Sequence, residues 1–252
     1  MYLRPFISAQ VKNKRWYPMG VLPPPMAFLA LSGSFTDNFV MTVLAPTILR
    51  IDGSTRHRGS VSRELSDLAV TTLQDHFGVA HVTQRDTRNG IGNISSAWRT
   101  ASLTPNEARS SEDRAVLAQS EALVTEVSEA DLLLLAVPIY NFSIPAALKS
   151  WIDLICRDNV DGGRANNLAR QYKNKQALII LTSNYTRANG DGDFATPYLK
   201  FILQFIGIDS VAFIDATGFG NDQAGVLARA QDAVKSQCMR IADTWNKQTA
   251  AE

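Results

Sequence analysis

The chain has 252 residues, 45% of them hydrophobic, enough for one large domain or two small ones. Lysine plus arginine number 25 and aspartate plus glutamate 24. Four of the basic groups (Arg4, Lys12, Lys14, Arg15) and one acid (Asp37) fall in the first 40 residues, leaving 21 basic and 23 acidic in residues 41–252. That near-neutral body excludes the basic footprint of a nucleic-acid binder, and no apolar run approaches a membrane span. Cys156 and Cys238 lack metal-ligand spacing and fall in helical patterns, which suits reduced core thiols. His57, His76 and His81 are scattered and form no HExxH-type motif, so no metal site is expected.

Residues 1–40 differ from the rest. They are basic, contain Pro23-Pro24-Pro25 and show no sustained period. The piece Met26 to Leu31 has the apolarity of a signal-peptide core but is short and follows three prolines. A disordered leader, a transit peptide and an upstream start with Met41 as the working initiator are the alternatives. The last is favoured, because Met41-Thr42-Val43-Leu44 runs straight into the first strand. The folded domain is expected over 41–252.

Strand one is expected at about Thr47 to Ile51, with a loop over Asp52 to Gly59. Ser60-Val61-Ser62 then opens a helix whose apolar positions Val61, Leu65, Leu68, Ala69, Leu73 and Phe77 keep helical spacing. Val79 to Thr83 reads as strand two, and Arg85 to Leu103 as a long polar loop. Thr104-Pro105-Asn106-Glu107 has the signature of a capped helix start running to about Val127. Leu132 to Val137, an unbroken apolar run, reads as a strand buried on both faces, and Ala146 to Ile155 as a helix. Arg157 to Lys175 is a polar loop, Ala177 to Thr182 strand four, and Ser183 to Asp193 a second candidate loop. Thr196 to Phe205 is helical, Val211 to Ala216 is strand five, and Asp222 to Trp245 is the last helix. Five strand-then-helix units predict one α/β domain, a doubly wound five-stranded parallel sheet of order 2-1-3-4-5. Its switch point lies between strands one and three.

The loops at that point carry the chemistry. The loop Gly53-Ser54-Thr55-Arg56-His57-Arg58-Gly59-Ser60 fails both GxGxxG and the P-loop pattern. Its hydroxyls, Ser54, Ser60 and Ser62, feed a helix N-terminus, a place where one phosphate can sit. Ordinary helix capping by Ser60 is the competing reading. After strand three come Ile139-Tyr140-Asn141-Phe142 between two prolines. Tyr140 and Phe142 either flank a planar ring or pack in the core.

These segments are similar to those of the FMN-dependent NADH-azoreductase and NADH:quinone oxidoreductase family, whose fold is flavodoxin-like. The resemblance covers about Leu49 to Val234. It rests on Ser54 with Ser60-Val61-Ser62, on Pro138-Ile139-Tyr140-Asn141-Phe142, and on four supporting pieces. Those are Leu103-Thr104-Pro105, Leu148 to Leu154, Thr196-Pro197-Tyr198-Leu199 and Phe205-Ile206-Gly207-Ile208. It implies one FMN per subunit, held by Ser54, Ser60, Val61, Ser62, Ile139, Tyr140, Asn141, Phe142 and Ser183, with the Asn141 amide facing the flavin edge. It implies NADH or NADPH as donor, a quinone or azo compound as two-electron acceptor, no metal, and a cytoplasmic homodimer with its site at the interface. An FMN reductase and a flavodoxin-type carrier are the alternatives. No side chain is singled out as acid or base, because the cofactor carries the chemistry. Two departures from the family stand out. Asn184-Tyr185-Thr186 replaces the Arg-Gly-Gly that commonly follows Ser183, with glycines arriving late at Gly190 and Gly192. Val160-Asp161-Gly162 stands where many members have Val-Thr-Phe.

Overall fold

The computed structural model describes residues 45–78, 80–157 and 172–249. The expectations for residues 1–40, for Val79, for most of the Arg157 to Lys175 loop and for Val160-Asp161-Gly162 lie outside them. Five strands form one sheet: β1 Ile48–Asp52, β2 Val82–Asp86, β3 Leu132–Pro138, β4 Gln176–Ser183 and β5 Ser210–Thr217. All pairs are parallel and the order is β2-β1-β3-β4-β5, as the sequence predicts. Among the described residues six α-helices accompany them: α1 Val61–Phe77, α2 Ser96–Leu103, α3 Ser111–Glu129, α4 Ala146–Ile155, α5 Ala195–Phe205 and α6 Gln223–Thr249.

The period of two in β3 divides the core. Leu132 and Leu134 pack with Ile48, Leu178 and Ile180 under α1 and α6. Leu133, Leu135 and Val137 pack with Leu49, Ile51 and Leu181 under α2 to α5. Helices on both faces bury β3 completely, and that is why its sequence is apolar without alternation. Because α1 leaves β1 toward one face and α4 leaves β3 toward the other, a crevice opens between the two strand ends.

Three expectations need correction. Strand two lies three residues later than Val79 to Thr83, at Val82–Asp86, in register with Ile48–Asp52. It is a half-exposed edge strand with polar side chains, so apolarity does not mark it. The polar stretch from Arg85 to Leu103 is not all loop. β2 extends to Asp86, a short 3-10 turn follows at Thr87–Asn89, and α2 buries Trp98 and Ala101. Thr104 does not start a helix but ends α2, its N–H donating to Ala101 O. Proline disfavours helical backbone in the residue before it, so Thr104-Pro105 works here as a stop. The start of α3 is Ser110, which forms a reciprocal capping box with Asp113.

Candidate functional site

The loop after β1 is held from beneath by charge. Asp52, with no exposed surface, accepts from Arg50 Nε at 3.1 Å, Arg63 Nη1 at 3.0 Å and Gln84 Nε2 at 2.6 Å. Arg63 also reaches Asp86 Oδ1 at 2.8 Å and donates through Nη2 to the Ser54 carbonyl at 2.7 Å. Burial alone would raise the Asp86 carboxyl, but hydrogen bonds from Arg88 and Arg63 hold it well below the usual carboxylate range. The network draws the Ser54 carbonyl down into the protein. Gly53 lets the chain pass close to β3, since a Cβ there would lie 3.1 Å from Ala136 O.

Above this base, Ser54, Ser60 and Ser62 are buried, and the Ser60 and Ser62 hydroxyls sit 3.2 Å apart. Ser60 precedes α1 but its side chain makes no cap bond. The first two helical amides, Val61 and Ser62, find no partner among the described residues. Capping is therefore not what Ser60 does. Three hydroxyls and an open helix N-terminus are a donor set that could hold an anion.

The loop after β3 is a tight turn. Tyr140 and Ser143 exchange backbone bonds at 2.9 and 3.1 Å, and the two residues between them have positive φ, 47° at Asn141 and 72° at Phe142. Left-handed backbone at two non-glycine residues, one of them bulky, is strain concentrated at a site. The turn leaves the Asn141 and Phe142 amides without partners among the described residues, while Ile139 N donates to Thr182 O at 2.8 Å. Phe142 is 58% exposed, which rules out the core-packing reading for its ring. Tyr140 is half-buried and reaches back to the other loop, its hydroxyl 3.3 Å from Thr55 N and 3.2 Å from Thr55 Oγ1. Burial would raise this phenol, but hydrogen bonding with Thr55 and Ser54 brings it below its ordinary value.

The third wall is residues 184–194. The Ser183 hydroxyl donates to Thr186 O, and the Ser183 carbonyl accepts from Gly218 N and Phe219 N at 2.9 and 3.1 Å. Ser183 thus shapes its own loop and braces it on the residues after β5. Tyr185, 77% exposed, lies against Gly220, where a Cβ would meet its ring at 2.6 Å. Gly192 lies against the Phe142 ring in the same way, at 3.1 Å. The late glycine therefore supports the central turn directly.

All nine residues anticipated from the sequence, Ser54, Ser60, Val61, Ser62, Ile139, Tyr140, Asn141, Phe142 and Ser183, line one cleft of about 780 Å³. Arg56, Phe219, Gly220 and Gln223 line it too and were not anticipated as ligands. Nor was the Arg63–Asp52–Asp86 base, although acids and arginines at the ends of β1 and β2 are its visible signal. The donors suit a phosphate monoester at the serine seat and a hydrogen-bond-accepting heteroaromatic edge at the 141–142 amides, the two ends of FMN. Among the described residues no cluster of His, Cys, Asp or Glu could hold a metal ion.

A family model described as Flavodoxin-like fold matches residues 46–238. The FMN-dependent NADH:quinone oxidoreductase 1 of Colwellia psychrerythraea is 39% identical over 189 residues, spanning 75% of this chain and 98% of that protein. A protein of the same name from Jannaschia sp. is 38% identical over 190 residues, spanning 75% and 97%. The solved structure of an FMN-dependent NADH-azoreductase from Bacillus anthracis in complex with FMN is alike in fold, with TM-score 0.67 and 20% identity over 78% of this chain and 99% of that one. On a family match across most of the described fold and close relatives spanned almost end to end, the chain belongs to the flavodoxin-like family of FMN-dependent NADH:quinone oxidoreductases.

Proposed function

We propose that the protein is an FMN-dependent NAD(P)H oxidoreductase that reduces quinones by two electrons and cleaves azo compounds. The observation that carries this reading is the convergence, across one cleft, of the serine seat on β1–α1 with the strained amide pair Asn141–Phe142. When bound, FMN supplies the two-electron chemistry that no side chain in the cleft can supply. Ser54, Ser60 and Ser62 and the Val61 and Ser62 amides would hold its phosphate. The Asn141 and Phe142 amides, pre-set by a turn that costs strain in the folded state, would offer donors to the flavin. Tyr140, tied to Thr55, fixes the spacing between the two loops. Phe142 and Tyr185 give aromatic surface to flat acceptors at the open mouth, which donor and acceptor use in turn.

The working unit is a homodimer in the cytoplasm. Support for the dimer comes from aromatic side chains left exposed beside the cleft and on α5: Phe142, Phe194 at 62% and Phe201 at 65%, the last stacked on Phe205. The contiguous exposed pair Phe201–Phe205 suits a surface that another chain covers. The activity is tested by following NADH consumption by the FMN-reconstituted protein with and without a benzoquinone. Quinone-dependent turnover with parallel-line kinetics is expected. Reduction of bound flavin without turnover would instead mark an electron carrier.

A further inference from the structure

Among the described residues one charged side chain lines the cleft, Arg56. The other lining groups are hydroxyls, amides, glycines, apolar side chains and aromatics. Arg56 is exposed, and its guanidinium makes no ion pair or hydrogen bond among the described residues. Two other arginines near the loop are committed, Arg63 to Asp52 and Asp86 and Arg88 to Asp86. The backbone of Arg56 is nevertheless fixed on both sides. Its N–H donates to Ser54 Oγ at 3.2 Å, and its carbonyl accepts from Arg88 Nη1 at 3.3 Å. A clamped backbone thus presents an unneutralised, rotatable cation at the cleft wall.

Depth separates this cation from the anion seat. Ser54, Ser60 and Ser62 are 1%, 5% and 1% exposed, whereas Arg56 stands at the solvent rim. Arg56 lines the same cleft wall as Tyr140, Asn141 and Phe142, so its guanidinium is within reach of a ligand that enters between the two loops. A phosphate monoester in the seat already has three hydroxyls and two amides. A dinucleotide donor arriving from solvent brings a pyrophosphate, and NADPH brings a third phosphate. A planar fork of donors suits such oxygens better than any other side chain.

We infer that Arg56 grips a phosphate of the nicotinamide dinucleotide and sets donor affinity without holding the flavin. This rests on the reading of the cleft as an FMN site served by such a donor. The test compares flavin-loaded protein with Arg56→Gln, Arg56→Lys and Arg58→Gln; Arg58 is exposed on the same loop but does not line the cleft. FMN affinity is measured by flavin fluorescence, NAD+ and NADP+ binding by titration calorimetry, and kcat and KM with NADH and NADPH. In Arg56→Gln, dinucleotide affinity should fall and KM rise about tenfold, with kcat and FMN affinity unchanged. Arg56→Lys should recover part of the loss, and Arg58→Gln should show none. Equal losses for the two donors identify the pyrophosphate as the group held, and a loss confined to NADPH and NADP+ identifies the third phosphate. Lost FMN affinity with intact dinucleotide binding, no change at all, or an equal loss in Arg58→Gln would each overturn the inference. Failure of the parent chain to bind FMN would remove the reading beneath it, and that is seen before any variant is made.

Discussion

The serines of the β1–α1 loop show how one residue type can carry two meanings. From sequence alone, helix capping is the better reading of Ser60 taken singly, and the phosphate reading rests on the Tyr140 to Phe142 loop at the adjacent strand end. In the structure the Ser60 side chain makes no cap bond and the Val61 and Ser62 amides stay open among the described residues, which leaves the ligand reading as the one proposed. Replacing Ser60 and Ser62 together by alanine removes two hydroxyl donors from the seat without removing a helix cap. FMN affinity, read by fluorescence titration, should fall by about ten- to a hundredfold while thermal stability of the apoprotein changes little. Unchanged affinity would move the phosphate elsewhere. The central turn was legible as a motif, Ile139 to Phe142 between prolines, but its left-handed backbone at Asn141 and Phe142 was not. Neither residue announces positive φ in the way glycine does. The Arg63 base was missed for another reason: its charged residues at the ends of β1 and β2 are visible, but their pairing joins β1, α1 and β2 through side chains more than ten residues apart.

Elements with one strong signal were legible and elements with divided signals were not. β3 is apolar throughout because both faces are buried, and its position at the centre of the sheet follows from that alone. α2 is a short helix whose buried apolar residues are Trp98 and Ala101, and Thr104-Pro105 carries opposite meanings at a helix start and a helix stop. α5 has a device of the same local kind. Asp193 Oδ1 accepts from Ala195 N and Thr196 N at 2.9 Å, and its Oδ2 accepts from Asn189 N at 2.7 Å. One carboxylate thus starts α5 and closes the loop beside Phe142. Burial would raise this carboxyl, but hydrogen bonds from Thr196, Asn189 and Ala195 hold it below its ordinary value. A depressed folded-state pKa contributes stability above the unfolded pKa and loses it as pH falls through the folded one. Asp193→Asn should therefore cost about 1–2 kcal/mol at neutral pH, and the melting-temperature gap to the parent should close as the solution is acidified below the carboxylate range. A gap that stays constant down to acid pH would show that the Asp193 charge is not what holds the loop.

At the scale of the whole molecule, the sheet places two loops from opposite faces at one edge, and the cleft follows from the topology. Nothing among the described residues is long and apolar enough to cross a membrane as a helix. The aromatic surface on α5 belongs to this scale too, because only a second copy covers it in the proposed assembly. Sedimentation equilibrium of the parent should give a dimer. Phe201→Asp, which puts a charge on the stacked Phe201–Phe205 pair, should shift it toward monomer; a parent that sediments as a monomer would contradict the dimer. The central claim, that this cleft holds FMN and passes electrons from a nicotinamide donor, is tested most directly by the visible spectrum of the FMN-reconstituted protein. The spectrum is recorded anaerobically before and after NADH, with a quinone then added. The account predicts protein-bound flavin bands that bleach with NADH and return with the quinone. Failure to retain FMN, or bound flavin that neither NADH nor NADPH bleaches, would contradict it.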